Sequence, residues 1–362
     1  MAITVRSFAK INLGLRIGAL RPDGFHELRT VYQTIALHDI VRVKVERGTG
    51  IEIRCEDPRV PKDDSNTCHR IVERAMAALK ARGRVIIAIE KRLPVQGGLG
   101  GASGNAVATL LALERALKKD LPGPERLQIA AEVGSDLPLF LVGGTVLGVG
   151  HGEEVYPLPD LPAVVCVIAL PDIAVSTPKA FAEWDARSCG AGTPARGPVE
   201  LRSTRTLRLR SGQADEDARL SIESAKLTHF AASDRMLEFS RMLSAWLSTQ
   251  PKGKAGKRLS GVPARRRGRA ETPLLDLVRT GIENDFEQVV FPQYPELREV
   301  KRVLERSGAF YASLSGSGSA VYGLFTSRAR AEKAAARLRE TGVEVRVTST
   351  LTRQQYWKEI FD

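Results

Sequence analysis

Val41, Val43 and Val45 alternate with Arg42, Lys44 and Glu46 in the stretch IVRVKVE. Successive side chains on a strand point to opposite faces, so this alternation predicts a strand with one buried face. IEIRC follows after RGTG and is expected to close a hairpin with it. VIIAIE reads as a further strand, and AVVCVIAL, just after Pro162, is a continuous apolar run of buried-strand length. NTCHRIVERAMAALKARG has helical spacing, with Asn66 as its cap and Gly83 at its end. LTHFAASDRMLEFSRMLSAWLS brings Phe230, Met236, Leu237, Phe239, Met242, Leu243, Trp246 and Leu247 onto one helical face. Towards the C-terminus the pattern runs helix (PELREVKRVLERSG), strands (FYASLS, AVYGLF), helix (SRARAEKAAARLRET) and strand (VEVRVTST). With no internal repeat, the expectation is an α+β protein of two domains, residues 1–160 and 161–362, dividing near 155–162.

Composition narrows this picture. A chain of 362 residues with 43% hydrophobic content can fill two cores. The net charge of +12 is uneven: from Ser188 to Thr272, 17 basic residues face 8 acidic ones, so that segment alone carries +9. Much of it (188–226 and 249–272) is rich in Gly, Pro, Ser and Arg without apolar period, as expected of basic, mobile insertions. Residues 188–226 hold no aromatic side chain among their arginines, which argues against a nucleic-acid partner. No run approaches the roughly 20 apolar residues of a membrane span. MAITVRSFAK lacks the apolar stretch of a secretory signal, so a cytoplasmic protein is expected. Cys55, Cys68, Cys166 and Cys189 form no CxxC pair and are expected to be reduced thiols. Monomer and homodimer both remain open.

The chemistry concentrates in LPVQGGLGGASGNAVATLLAL, where a glycine-rich loop leads from a strand into an apolar helix beginning near Ala102. Glycines let backbone N–H groups approach phosphate oxygens, and a helix N-terminus adds about half a positive charge, so a nucleotide is the natural guest. The loop is not a Walker A sequence, because no GK[ST] closes it, and Ser103 stands where GxGxxG from Gly98 needs its last glycine. SFAKINLGL sets Lys10 in an apolar strand, where a lysine either meets an anion or faces water from an edge. In EVGSDLPLFLVGG, Asp136 follows a helix end and precedes a proline, the usual place of a turn or cap residue.

Seven stretches in order carry a resemblance. PVQGGLGGAS and LSGSGSAVYGLF resemble the ATP loop and the C-terminal glycine motif of the GHMP kinases. Within that superfamily, AKINLGL, RPDGFHEL, GSDLPLFLVGG, GVGHGEEV and ENDFEQVVFPQYPEL are similar to the family acting on 4-diphosphocytidyl-2-C-methyl-D-erythritol. The resemblance covers about residues 3–187 and 227–350. It implies a ribosomal-S5-like N-terminal domain, a ferredoxin-like C-terminal domain and an active site in the cleft between them.

The resemblance also implies roles. Pro94, Gly97, Gly98, Leu99, Gly100, Gly101, Ser103 and Gly104 would hold ATP, with Mg²⁺ bound mainly through the nucleotide and Ser103 a candidate for its shell. Asp136 would take the proton of the substrate hydroxyl, with Lys10 keeping it ionised. Asn12, Phe25, His26, Thr177 and Phe181 would hold the small-molecule substrate, a cytidine diphosphate-linked methylerythritol, the cytosine lying against Phe25, His26 and Phe181. Phe181 could equally be a core residue of a short helix. Two departures stand out: Phe25 where the family commonly has Tyr, and Gly104 where Ser is common. Another GHMP kinase, acting on homoserine, mevalonate or a sugar, stays open as an alternative, as does a non-catalytic binding protein.

Overall fold

In the computed structural model, residues 1–189 and 282–361 are described, with side chains to 187 in the first stretch. The basic insertions from residue 190 on, and the helix expected over 227–248, lie outside the described residues. The chain opens with two long antiparallel strands, β1 (Ile3–Leu20) and β2 (His26–Glu46), followed by β3 (Ile51–Cys55), α1 (Thr67–Ala78) and β4 (Arg84–Glu90). The helices α2 (Gly101–Leu117), α3 (Gly123–Val133) and α4 (Leu137–Val142) precede β5 (Thr145–Val149) and β6 (Glu154–Pro157). Together these strands form a six-stranded sheet in the order β3-β4-β2-β5-β6, with β1 paired to β2. The helix α2 lies on it, and Val107, Leu110 and Leu113 are buried against Val41, Val43, Val85 and Ile87.

The expected hairpin of β2 with β3 does not form. β3 pairs in parallel with β4, which lies between it and β2. Parallel pairing needs a crossover, and α1 supplies it, burying Ile71, Val72 and Ala75. Asn66 caps α1 as expected, accepting from Cys68 N at 2.8 Å. Gly83 does not end that helix, which stops at Ala78. It sits instead where β4 begins beside β2, and a Cβ there would approach Val45 Cγ1 to 2.7 Å.

The second sheet is antiparallel. β7 (Val165–Leu170) is followed by α5 (Thr177–Cys189), then by α6 (Glu287–Gln293), α7 (Pro295–Arg306), β8 (Tyr311–Leu314), β9 (Val321–Phe325), α8 (Arg328–Glu340) and β10 (Glu344–Ser349), in the strand order β10-β7-β9-β8. Leu297, Val300 and Leu304 of α7 and Ala331, Ala334 and Leu338 of α8 cover one face. Each sheet thus has its own helices and core, in keeping with the expected α+β architecture. The last helix, α9 (Arg353–Glu359), was counted with the second domain from sequence, but Leu351, Tyr356 and Ile360 are buried in the core of the first sheet. Cys55, Cys68 and Cys166 are free and buried; the side chain of Cys189 lies outside the described residues.

Candidate functional site

The glycine-rich loop between β4 and α2 is stitched to both sheets. Leu99 O accepts from Lys10 N of β1 at 2.9 Å, Gly98 O accepts from Ser315 Oγ at 3.0 Å, and Gly97 O accepts from Ala320 N at 3.2 Å. Glycine is required at two points. Gly98 (φ +73°) leaves no room for a Cβ against the carbonyl of Ser315, and a Cβ on Gly100 (φ +71°) would lie 3.0 Å from both Lys10 Cγ and Phe140 Cζ. Gly100 is the N-cap of α2 and offers no side chain to the first N–H groups of the helix, so its positive end stays available to an anion. A cavity of 340 Å³ opens there, lined by Pro94, by residues 97–103, by Lys91 and by the start of α1 at Asn66 and Thr67. Of the residues expected to hold ATP, only Gly104 is turned away: a Cβ on it would meet Phe8 O at 2.8 Å and Ser7 Oγ at 2.9 Å.

The loop's entry is fixed by Asp39, which sequence reasoning passed over. This fully buried carboxylate accepts from Lys91 Nζ (2.6 Å), Asn105 Nδ2 (3.0 Å) and the backbone N–H groups of Arg92 and Leu93 (both 2.7 Å). An acidic residue close before the apolar alternation at residue 41 was the available signal.

A larger cavity of 730 Å³ shares Gly98 and Gly100 with the first. It brings together Lys10, Asn12, Phe25, His26, Asp136, Thr177 and Phe181. Lys10 is buried, so it is neither an edge lysine nor free: Nζ lies 3.4 Å from Asp136 Oδ2 and donates to Asn12 Oδ1 at 2.7 Å. Asn12 in turn donates to Thr30 Oγ1 at 2.8 Å, which donates to Gly14 O at 2.8 Å. Such a chain fixes the ammonium in position and compensates its burial. Asp136 stands at the N-cap of α4 but makes no capping bond. Its Oδ1 accepts instead from the Tyr32 hydroxyl at 2.9 Å. Burial, and then the Asp136 charge, push the Tyr32 phenol well above its ordinary pKa.

At the far end, His26 Nδ1 is 3.0 Å from Gly18 O, so Nδ1 carries a proton. Its Nε2 is 2.9 Å from Asp185 Oδ1 without hydrogen-bond alignment. The Phe181 ring stacks on His26 at 5.4 Å and 3°, while Phe25, 60% exposed on the β1–β2 turn, leans on His151 at 4.7 Å. Phe181 is thus part of the cavity wall and also packs against the core at Phe286. The Thr177 hydroxyl meets that of Ser317 at 2.7 Å, linking α5 to the glycine turn between β8 and β9. Tyr32 is a site residue that no local pattern announced, whereas Ser317 belongs to the glycine motif LSGSGSAVYGLF without having been singled out. Among the described residues, no group of three or more His, Cys, Asp or Glu could hold a metal ion.

The arrangement is one of an anion-binding loop, a lysine–carboxylate pair and an aromatic slot in sequence along a single cleft. Known proteins resemble this chain over most of its length. The family model described as the GHMP kinases N terminal domain matches residues 66–144, and that of the GHMP kinases C terminal matches residues 271–344. A relative from Solibacter usitatus, named 4-diphosphocytidyl-2-C-methyl-D-erythritol kinase, is 34% identical over 324 residues, or 90% of this chain and 81% of its own length. A relative of the same name from Acaryochloris marina is 33% identical over 338 residues, 93% and 91% of the two chains. A solved 4-(cytidine 5'-diphospho)-2C-methyl-D-erythritol kinase superposes with a TM-score of 0.64 at 25% identity, covering 96% of this chain and 98% of that one. The homoserine kinase of Cytophaga hutchinsonii also gives 0.64, covering 98% and 96%, but at 19% identity this is a likeness of fold alone.

Proposed function

Since the chain belongs to the 4-diphosphocytidyl-2-C-methyl-D-erythritol kinase family of the GHMP kinases, an ATP-dependent family of small-molecule kinases, we propose that it phosphorylates the 2-hydroxyl of 4-diphosphocytidyl-2-C-methyl-D-erythritol in the non-mevalonate route to isoprenoid precursors. The observation that carries this reading is the continuity of the two cavities: Gly98 and Gly100 border both, so a triphosphate on the loop ends beside Lys10 and Asp136. The amides at the start of α2 and Ser103 would hold the phosphates. Both fit a magnesium-bound triphosphate, and Mg²⁺, when bound, neutralises charge on the phosphate oxygens. Asp136 would accept the proton as the hydroxyl bonds to the γ-phosphorus and the bond from that phosphorus to the β–γ bridging oxygen breaks, releasing ADP; such general-base help is typically worth roughly 10² to 10⁴ in rate. Lys10, 3.4 Å from that carboxylate, offsets charge on the transferred group. His26 and Phe181, with Phe25 at the mouth, form the slot for the cytosine; a homoserine, mevalonate or sugar kinase has no need of one.

The test is ADP release by the purified full chain with ATP and Mg²⁺, comparing the cytidylyl substrate with homoserine, mevalonate and galactose. Turnover with the cytidylyl alcohol alone is expected. An equal or higher rate with any of the three others overturns the substrate assignment. The reading places the protein away from membranes, and among the described residues no helix is long and apolar enough to cross one.

A further inference from the structure

An aspartate at a helix N-cap usually turns its carboxylate back onto the helix amides. Asp136 does not, and α4, only six residues long, contributes no charged side chain beside it. Its carboxylate, one-third exposed to the cavity, is held from elsewhere: Oδ1 by the Tyr32 hydroxyl at 2.9 Å, with Oδ2 3.4 Å from Lys10 Nζ. The two oxygens are therefore not equivalent.

Tyr32 is well built for this task. It lies within β2, paired with Asn12 of β1 on one side and Val146 of β5 on the other, and is 2% exposed. Its ring and hydroxyl occupy space that Gly148 and Gly152 leave open: a Cβ on Gly148 would press on the ring edge, and one on Gly152 would overlap the hydroxyl. The charged groups around the pair are Lys10 from β1 and, from the β5–β6 turn, Glu153, with His151 of that turn lining the same cavity. The raised phenol keeps its proton, and so remains a donor, across the working pH range.

We infer that Tyr32 is a positioning residue for phosphoryl transfer: by binding Oδ1 of Asp136 it fixes the carboxylate so that Oδ2, on the Lys10 side, receives the proton of the alcohol. This rests on Asp136 acting as the base. A carboxylate free to rotate spends less time in line with the hydroxyl.

The experiment compares Tyr32→Phe, Asp136→Asn and the double variant, recording kcat, KM and thermal midpoint. Tyr32→Phe keeps the ring and removes only the donor. The expected result is a fall in kcat of about tenfold with both KM values within about twofold. In the Asp136→Asn background the same change should cost almost nothing further. A lowered thermal midpoint with kcat unchanged marks a purely structural hydroxyl and overturns the inference. So does an equal, multiplicative loss in the double variant. If Asp136→Asn itself keeps near-normal kcat, the base reading fails and takes the inference with it; if Asp136→Asn is inactive and Tyr32→Phe normal, only the inference falls.

Discussion

Position 104 shows how one missing side chain lets two elements meet. α2 passes so close to β1 that any Cβ at Gly104 would sit 2.8 Å from the Phe8 carbonyl and 2.9 Å from Ser7 Oγ. The resemblance to the GHMP kinases leads one to expect a serine here, in contact with ATP. The residue is instead buried on the sheet side of the helix. Gly104→Ser is therefore expected to lower unfolding free energy by about 1–3 kcal/mol, as overpacking does, measured by urea denaturation. Its KM for ATP should change much less than that of a variant at Gly98, which borders both cavities. Lys10 was legible because it breaks its local pattern, a lysine in an apolar strand, whereas Asp136 reads locally as a turn residue and was singled out by the resemblance. Tyr32 was not, because an aromatic residue in a strand is unremarkable until its hydroxyl is seen to have a partner.

Among the elements, the turn from Ser315 to Ser319 is bonded to the glycine-rich loop through Ser315 Oγ, which donates to Gly98 O. Asn284 holds it, donating through Nδ2 to Leu314 O at 2.9 Å and Gly316 O at 2.8 Å, while Oδ1 accepts from Phe286 N at 3.0 Å. The segment around Asn284 lies along the end of β1, with Leu15 N bonded to Glu283 O and Asp285 N to Leu15 O, both at 2.9 Å. One side chain thus ties the second sheet's turn to the strand that carries Lys10. Asn284→Ala leaves two buried carbonyls without a donor, so a loss of about 1–3 kcal/mol is expected, together with a rise in KM for ATP of a few-fold. Unfolding and steady-state kinetics on the same preparation check both; an unchanged KM would separate the turn from the nucleotide site. The strands themselves were readable from alternation, but the partner of β3 was not. RGTG suggested a hairpin, and the parallel β3–α1–β4 crossover prevailed because α1 must cover the apolar face between them.

For the molecule as a whole, the C-terminal residues close the first sheet. Arg6 N donates to Ile360 O at 2.8 Å, and the Tyr356 hydroxyl donates to Phe140 O of α4 at 2.6 Å. Leu351, Tyr356 and Ile360 are buried, and burying a large apolar side chain is worth about 1.5–3 kcal/mol. Ending the chain after Thr350 should thus remove several kcal/mol from a total that is commonly only about 5–15 kcal/mol. A thermal midpoint lower by roughly 10 °C or more, read by circular dichroism, is the expected outcome. Turnover should fall too, since α4 follows Asp136 directly and loses its support from behind.

Taken alone, the sequence determined what is local. Alternation and helical spacing mark which face of a segment is buried, and glycines ahead of an apolar helix mark an anion site, because these depend on residues a few positions apart. The same locality made Lys10 a candidate before any contact was known, while Asp136 and His26 took their roles from the resemblance. Only the tertiary structure decided what each buried face meets. The strand order β3-β4-β2, the return of α9 to the first sheet and the 3.4 Å approach of Lys10 to Asp136 all join segments far apart in the chain. Such distances are set by sheet register, crossovers and packing summed over the whole fold, and no window of sequence contains them.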